Sequence, residues 1–393
     1  MPNVTFRYED GTATKVAVTA GENLLEVARK ANVAIDAPCS GNGSCGKCRV
    51  RYISGELESE QTRHITDEDY AAGWRLSCCS KVTGDVTVLV PDIASAYKSR
   101  MKVADLSSPE EVAIFDRAKQ DVADAGITFE NEFTVVELQM TAPSLDDTMP
   151  DNERLSWAIE AATGIENVKL TYQVLKKLPD ALRDNDFHVN VVLKKLHHSV
   201  LVYDVVPVTE QRICGAAIDI GTTTVSGVIL DLRDGTILAK ASAGNGQIRY
   251  GADVINRIIE TTKPGGIKKL QDAVIKETIN PMIHEMCRSI HLPENQIYRM
   301  CVASNTTMNH LFAGINADPL RMEPYIPAFF KTNSLFASDV GIEINPDAHI
   351  IMAPNIGSYV GGDITAGTLV SMIWNKPEFN LFIDLGTNGE IVF

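Results

Sequence analysis

The sequence predicts a multidomain chain of α+β and α/β character, and three observations predict it. At 393 residues it is too long for one compact core, so two to four domains are expected. Five of its eight cysteines, Cys39, Cys45, Cys48, Cys78 and Cys79, fall near the start among stretches that alternate like strands. Two distant stretches, AAIDIGTTTVSGVIL (Ala216–Leu230) and LFIDLGTNGEIVF (Leu381–Phe393), share one pattern of apolar residues, Asp, apolar residue, Gly and Thr.

The composition is globular: 45% hydrophobic, 22% charged and 6% aromatic. No run of eighteen apolar residues exists, so no transmembrane helix is expected. The polar start MPNVTFRYEDGTATK lacks an apolar signal region, and a cytoplasmic address is expected, without membrane partners. A net charge of −15 argues against nucleic acid. In such a chain clustered cysteines suggest a metal rather than disulfides. The isolated Cys214, Cys287 and Cys301 read as small buried hydrophobes.

VTFRYEDGTATKVAV reads as two alternating strands joined by a Gly-containing turn, followed by an amphipathic helix from about Glu22 to Asn32. The loop CSGNGSCGKC then spaces its cysteines as Cys39-x5-Cys45-x2-Cys48, with Cys78 far downstream. Structural zinc usually takes two close pairs, whereas three ligands in one loop and a distant fourth is how a [2Fe–2S] cluster is held. Zinc stays as the alternative. Gly41, Gly43 and Gly46 let the backbone curl and aim N–H groups at the cluster sulfurs.

On these residues the N-terminus resembles the [2Fe–2S] ferredoxins, its x5 spacing looking more like the adrenodoxin-type loop than the plant-type. GWRLSCCSKV is similar to the segment that brings the fourth ligand in that family, which implies Cys39, Cys45, Cys48 and Cys78 as ligands. Cys79 is then a bystander or a substitute ligand. Residues 1–93 are expected, by this resemblance, to form a β-grasp ferredoxin domain whose last strand, in VTVLVPDI, closes at Pro91.

Residues 94–125 read as a polar linker without a clear apolar period, holding at most a short helix. Residues 126–212 read as a small α+β middle domain: EFTVVELQM and FHVNVVLKKL alternate like strands, NERLSWAIEAATG has helical spacing, and LPDALRDND predicts a short helical turn behind its proline. His188, His197 and His198 read as surface or strand histidines rather than ligands.

In residues 213–393 each Asp–Gly–Thr stretch predicts a buried strand, a tight turn and a second strand. The chemistry fits phosphate: a glycine lets amides approach an anion, Thr hydroxyls donate, and an Asp at a strand end can hold Mg²⁺. Two copies in one chain resemble the paired phosphate hairpins of the actin, sugar-kinase and heat-shock-chaperone superfamily, whose ribonuclease H-like lobes clamp ATP. VASNTTMNHLFAG (Val302–Gly314) is similar to its inter-lobe connecting segment, with Asn305, Thr306 or Thr307 as helix cap. In GSYVGGDITAGTLVSM, Gly361, Gly362 and Asp363 precede a helix whose start suits an anion or a plain N-cap equally. Asn305, Gly361, Gly362 and Asp363 are therefore further candidate nucleotide contacts. NGQIRYGADVINRIIE is similar to a segment between the hairpins in one branch of the superfamily, without a role that the residues reveal.

The order of parts resembles the reductive activators of corrinoid proteins over essentially the whole chain. That resemblance implies ATP-coupled transfer of one electron from the cluster to a Co(II) corrinoid, restoring methyl-accepting Co(I). It implies Asp219, Gly221, Thr222, Thr223, Asp384, Gly386, Thr387 and Asn388 around the nucleotide phosphates and Mg²⁺, with Asp219 and Asp384 catalytic and Glu390 a candidate for orienting water. The partners implied are a corrinoid protein of a methyltransferase system and an upstream low-potential donor; a homodimer is compatible with the superfamily. Two other readings stand beside it: a passive electron-transfer or docking module, and a small-molecule kinase with a redox-sensing cluster. Because the sequence ends within the outgoing strand of the second hairpin, the chain is expected to be a fragment with an incomplete ATPase domain, poor in ATP binding and hydrolysis by itself.

Overall fold

The structure, a computed structural model, describes residues 2–8, 11–31, 33, 35, 37, 41, 43, 46–91, 109–128, 131–210, 212–251, 253–332, 335–385 and 389–393. Among them, no helix is long and apolar enough to cross a membrane.

The first sheet is a mixed β-grasp. Strands β1 (Asn3–Tyr8) and β2 (Ala13–Ala17) form an antiparallel hairpin. With β3 (Arg49–Ser59), β4 (Trp74–Leu76) and β5 (Ser80–Val90) they take the order β2-β1-β5-β3-β4, β1 running parallel to β5. The last strand stops at Val90 because Pro91 has no N–H to add to the ladder. Helix α1 (Leu24–Lys30) starts later than the periodicity predicts, because the Asn23 side chain accepts from the Leu25 and Glu26 amides and caps it. Its Leu24, Leu25, Val27 and Ala28 pack with Val4, Phe6, Val50 and Val88. A short helix, α2 (Asp67–Ala71), precedes β4.

The linker expectation needs correction. Sixteen of its residues form helix α3 (Pro109–Asp124). Its proline stands at the first helical position, where no N–H is needed. Val112, Ile114 and Phe115 are left exposed, so no single apolar stripe betrays the helix in the sequence.

The second sheet has β6 (Phe133–Gln139), β7 (Val168–Leu170), β8 (His188–Lys195) and β9 (Val200–Pro207) in the order β6-β8-β9-β7. Helix α4 (Asp151–Thr163) ends at Gly164, whose φ of 72° supplies the left-handed cap. Helix α5 (Tyr172–Asp184) is thirteen residues long and runs through Pro179, where only a short turn was expected. Thr171 caps it, and burial of Val174, Leu178 and Leu182 outweighs the hydrogen bond that the proline forgoes. His188 pairs across the sheet with Glu137 at 2.8 Å, and His197 and His198 are exposed and lie edge to face.

The third sheet orders β10 (Cys214–Ile220), β11 (Thr224–Asp231), β12 (Ile237–Gly244), β13 (Ile297–Ser304) and β14 (His349–Met352) as β12-β11-β10-β13-β14. Strand β11 runs antiparallel to both β10 and β12, and β13 and β14 run parallel to β10. This is the ribonuclease H-like arrangement of actin-like lobes. Around it lie α6 (Val254–Thr261), α7 (Gly266–Val274), α8 (Asn280–Ser289), α9 (Thr306–Ala313), α10 (Ala337–Val340) and α11 (Gly362–Ser371). Helix α3 packs along α11, and Lys119 donates to the Asp234 carbonyl at 2.6 Å. The Val302–Gly314 stretch is thus an inner strand and its following helix within this lobe, rather than a bridge between lobes. Cys214 and Cys287 are buried as expected, but Cys301 is exposed. Strand alternation gives the interior to its neighbours Met300 and Val302.

The second hairpin pairs β15 (Phe382–Leu385) with β16 (Gly389–Val392) as a separate two-stranded ribbon. The second and third sheets meet at Phe133, Val192, Tyr203, Ile213 and Tyr298. There the buried Asp204 accepts the Tyr298 hydroxyl at 3.0 Å and pairs with Lys177. Tyr203 donates to the Asp347 carbonyl at 2.9 Å.

Candidate functional site

Two chemically distinct places stand out. In the first sheet, Cys48 leads into β3 and Cys78 sits in a single 3₁₀ turn, Ser77–Cys79, between β4 and β5. The Ser77 amide and hydroxyl both donate to the Cys48 carbonyl, at 2.8 and 3.0 Å. Asn23, while capping α1, donates to the Cys78 carbonyl at 2.7 Å. These bonds bring the Cys48 and Cys78 sulfurs to 3.2 Å; Cys79 Sγ lies 3.6 Å from Cys78 Sγ. The Sγ–Sγ contact with Cys78 holds the Cys48 thiol below the usual thiol range, and the same contact raises Cys78. Two sulfurs this close can serve one metal centre once deprotonated.

The described part of the loop is shaped for close approach. Gly41 and Gly46 have φ of 92° and 69°, and a Cβ at Gly46 would lie 2.5 Å from His64 Cβ. Cys39 and Cys45 lie outside the described residues, and no set of three metal-ligating side chains occurs among the described ones. What is described fits an iron–sulfur group: neighbouring thiols, one of them easily ionised, beside a loop in conformations that side chains resist.

The second place lies at the hairpin turns. Ile218 and Ile220 of β10 face the core, so alternation turns Asp219 the other way. Its side chain meets solvent, yet protein crowds it: desolvation first, then Asp363 and Asp384, push its carboxyl up to about 6. Asp363 near the head of α11 is raised by burial and by Asp384. Glu390 on β16 is raised by burial, then by Asp363 and Asp384. Carboxylates from β10, α11, β15 and β16 therefore feel one another's charge across the two hairpins, although no three of them stand close enough to form a ready-made metal site. Mutual repulsion of this kind is relieved by a cation.

The turn of the first hairpin is tightly held. A Cβ on Gly221 would fall 2.7 Å from the Thr224 carbonyl oxygen. Asn305 caps α9 by accepting from the Met308 amide at 2.9 Å, which selects it over Thr306 and Thr307, and its Nδ2 reaches Thr222 Oγ1 at 3.4 Å. The Thr222 hydroxyl, expected to serve phosphate, is thus engaged inside the protein. At Gly361 a Cβ would lie 2.3 Å from the Ser304 carbonyl, so the head of α11 rests on the end of β13. No side chain caps α11, so the plain N-cap alternative does not describe it. Thr223 lies in the same turn; Gly386, Thr387 and Asn388 fall outside the described residues.

The residues overlooked by sequence reasoning are Asn245, Gln247 and Arg257. Asn245 Nδ2 donates to the Gly221 carbonyl at 2.9 Å, its amide donates to the Thr223 carbonyl at 2.8 Å, and Arg257 donates to the Thr222 carbonyl. A signal was present: Val254, Arg257, Ile258 and Thr261 follow the i, i+3, i+4, i+7 spacing of a buried stripe. A charge at a core position asks for a reason.

Comparison with known proteins matches three regions of the chain. A 2Fe-2S iron-sulfur cluster binding domain matches residues 7–83, a RACo linker region residues 122–211, and a RACo middle region residues 214–376. The chain belongs to the RACo family. Among its relatives, the corrinoid activation enzyme RamQ of Eubacterium limosum is 36% identical over 193 residues, 48% of this chain and 32% of that protein. The solved structure of a reductive activator for corrinoid, iron-sulfur protein is 33% identical with a TM-score of 0.56, covering 100% of this chain and 61% of that one. The glycine betaine monooxygenase reductase subunit of Pseudomonas aeruginosa shares 43% identity over 77 residues, 20% of this chain and 21% of its own. This RACo chain thus spans about a third of the corrinoid activation enzyme and about three fifths of the solved activator.

Proposed function

We propose that this RACo chain takes part in the ATP-dependent reductive activation of a corrinoid protein, in which one electron is delivered to Co(II) to regenerate Co(I) for methyl transfer. The observation that carries the proposal is the union, in one chain, of a thiol pair within a [2Fe–2S] domain and of two Asp–Gly–Thr hairpins whose aspartates feel each other's charge. The corrinoid activation named for its relatives supports the choice of acceptor.

When bound, the cluster supplies one-electron transfer at low potential. Cys39, Cys45, Cys48 and Cys78 are proposed to hold it. Asn23 and Ser77 fix the peptides of Cys78 and Cys48, and Gly41, Gly43 and Gly46 leave the loop free of side chains that would crowd it. At the hairpins, Asp219 and Asp384 are proposed to hold Mg²⁺, with Asp363 and Asn305 beside them and Glu390 orienting water. Gly221, Thr222, Thr223, Gly386, Thr387 and Asn388 form the phosphate turns. A one-electron step uphill by ~200 mV costs roughly 4–5 kcal/mol, a gap within reach of nucleotide hydrolysis. An upstream low-potential donor in a reducing cytoplasm would restore the electron.

The test uses the complete reading frame under argon. Reduced protein is mixed with a Co(II) corrinoid protein, with and without MgATP, and the visible spectrum is followed for Co(I). ATP-dependent Co(I) supports the proposal. A reduced cluster that never passes its electron on, with or without ATP, sinks it and favours a passive module or a kinase.

A further inference from the structure

We infer that the segment from Asn245 to Arg257 is the positioning element of the first phosphate turn, and that Arg257 is its charged member, set behind the turn to favour a nucleoside polyphosphate. The inference deepens the proposed nucleotide site and rests on it. Three consecutive carbonyls of the turn, Gly221, Thr222 and Thr223, each receive a donor from this one segment. A turn that binds phosphate has to present amides, because a carbonyl aimed at the anion repels it. Tying down three successive carbonyls fixes the peptide planes before any ligand arrives, and preorganised dipoles need no reorganisation on binding.

Arg257 does more than this geometry requires. It is fully buried, and it donates to the Gly251 carbonyl at 2.8 Å and to Gln247 Oε1 at 3.1 Å as well as to the Thr222 carbonyl. Met308 Sδ lies 3.2 Å away. All these acceptors are neutral. Asp253 is the acid nearest in sequence, but its two oxygens accept from the Asn256 amide and side chain, both at 2.8 Å, and it touches Arg257 only by its field. Desolvation accordingly pulls the guanidinium down to about 9.

A buried cation without a hydrogen-bonded carboxylate is costly to keep. An anion one peptide away, beyond Thr222, offsets that cost. The rest of the segment serves the same end. Gln247 is buried, donates to the Leu270 carbonyl at 2.9 Å, and so turns its oxygen toward Arg257. Gly251 admits no side chain, since a Cβ there would lie 2.9 Å from the Arg257 amide.

The experiment measures binding of a fluorescent MgATP analogue to the full-length protein and to R257K, R257M and N245A, with circular dichroism and the cluster's EPR spectrum as controls. R257M is expected to weaken binding ~10-fold or more. R257K, which keeps the charge but not the fork, should regain part of the loss, and N245A should lose less than R257M. This ordering follows charge at position 257, and a merely structural role would not produce it. A folded R257M that binds as tightly as wild type overturns the inference and leaves the nucleotide site standing. Should R257M not fold, unchanged binding by both R257K and N245A overturns it equally. Wild-type protein with an intact cluster and no MgATP binding removes the nucleotide site, and this inference with it.

Discussion

The two Asp–Gly–Thr hairpins read almost alike, and the fold treats them differently. In the first, Ile218 and Ile220 flank Asp219 at 2% and 1% exposure; in the second, the equivalent Ile383 and Leu385 flank Asp384 at 47% and 86%. The first hairpin lies inside a five-stranded sheet, between β12 and β13, while among the described residues the second pairs only with itself. Matching motifs therefore do not decide burial, which is set by the neighbours each strand acquires. The apolar residues of the second copy obey the period of a buried strand without, in this structure, being buried.

The largest expected effect tests the chemistry that the copies share. Asp219→Ala in the full-length protein should lower MgATP hydrolysis on the order of 10²–10³-fold while leaving the cluster's EPR spectrum intact; hydrolysis at full rate would place the metal elsewhere. Next comes burial. Ile220→Ala should destabilise the lobe by about 2–5 kcal/mol, and Leu385→Ala in the same chain should stay within about 0.5 kcal/mol. Amide hydrogen exchange in β10 and β15 compares the two, and equal losses would mean that the second hairpin is as firmly packed as the first.

Turn geometry ranks third. Gly221→Ala should cost about 1–3 kcal/mol by forcing a Cβ onto the Thr224 carbonyl. Gly389→Ala should be nearly silent in urea denaturation, since its nearest atom, the Asp384 carbonyl oxygen, is 4.0 Å from the added Cβ. The smallest effect concerns pH. The Asp219 carboxyl is raised to about 6 in the folded chain, so the folded state binds more protons than the unfolded one between about pH 4 and 6. This group's contribution to stability is present below that window and is lost as pH rises through 6. Asp219→Asn should therefore melt slightly above wild type at pH 7–8, with the difference vanishing near pH 4. Asp384→Asn should draw the Asp219 titration partly down, because the like charge goes while desolvation stays. Carboxyl NMR reads both, and a titration unmoved by Asp384→Asn would separate the hairpins.

The first hairpin, the strands of the second sheet and the place of the α9 cap were legible because alternation, Gly and Pro punctuation and capping chemistry are local, whereas the β-grasp followed from the resemblance of the cysteine loop. Cys48 and Cys78 were legible by spacing, and the structure brings their sulfurs together. Helix α5 was cut short in the sequence because Pro179 is a local veto, while the burial that overrides it is tertiary. Helix α3 was read as at most a short helix within a linker, because its apolar residues are few among charged ones. Arg257 and Asn245 were illegible for a different reason: their partners are carbonyls, which every residue carries, so no residue type marks them. The exposure of the second hairpin could not be read at all, since a strand's own sequence does not say which strands will flank it.

The buried Asp204 has a mechanical consequence. One of its oxygens belongs to Lys177 of helix α5 in its own domain, the other to Tyr298 of the neighbouring lobe. Prising those sheets apart would strand a half-partnered carboxylate in a dry interior, a penalty of several kcal/mol. The seam is riveted, because a single charge is shared between the domains on either side of it.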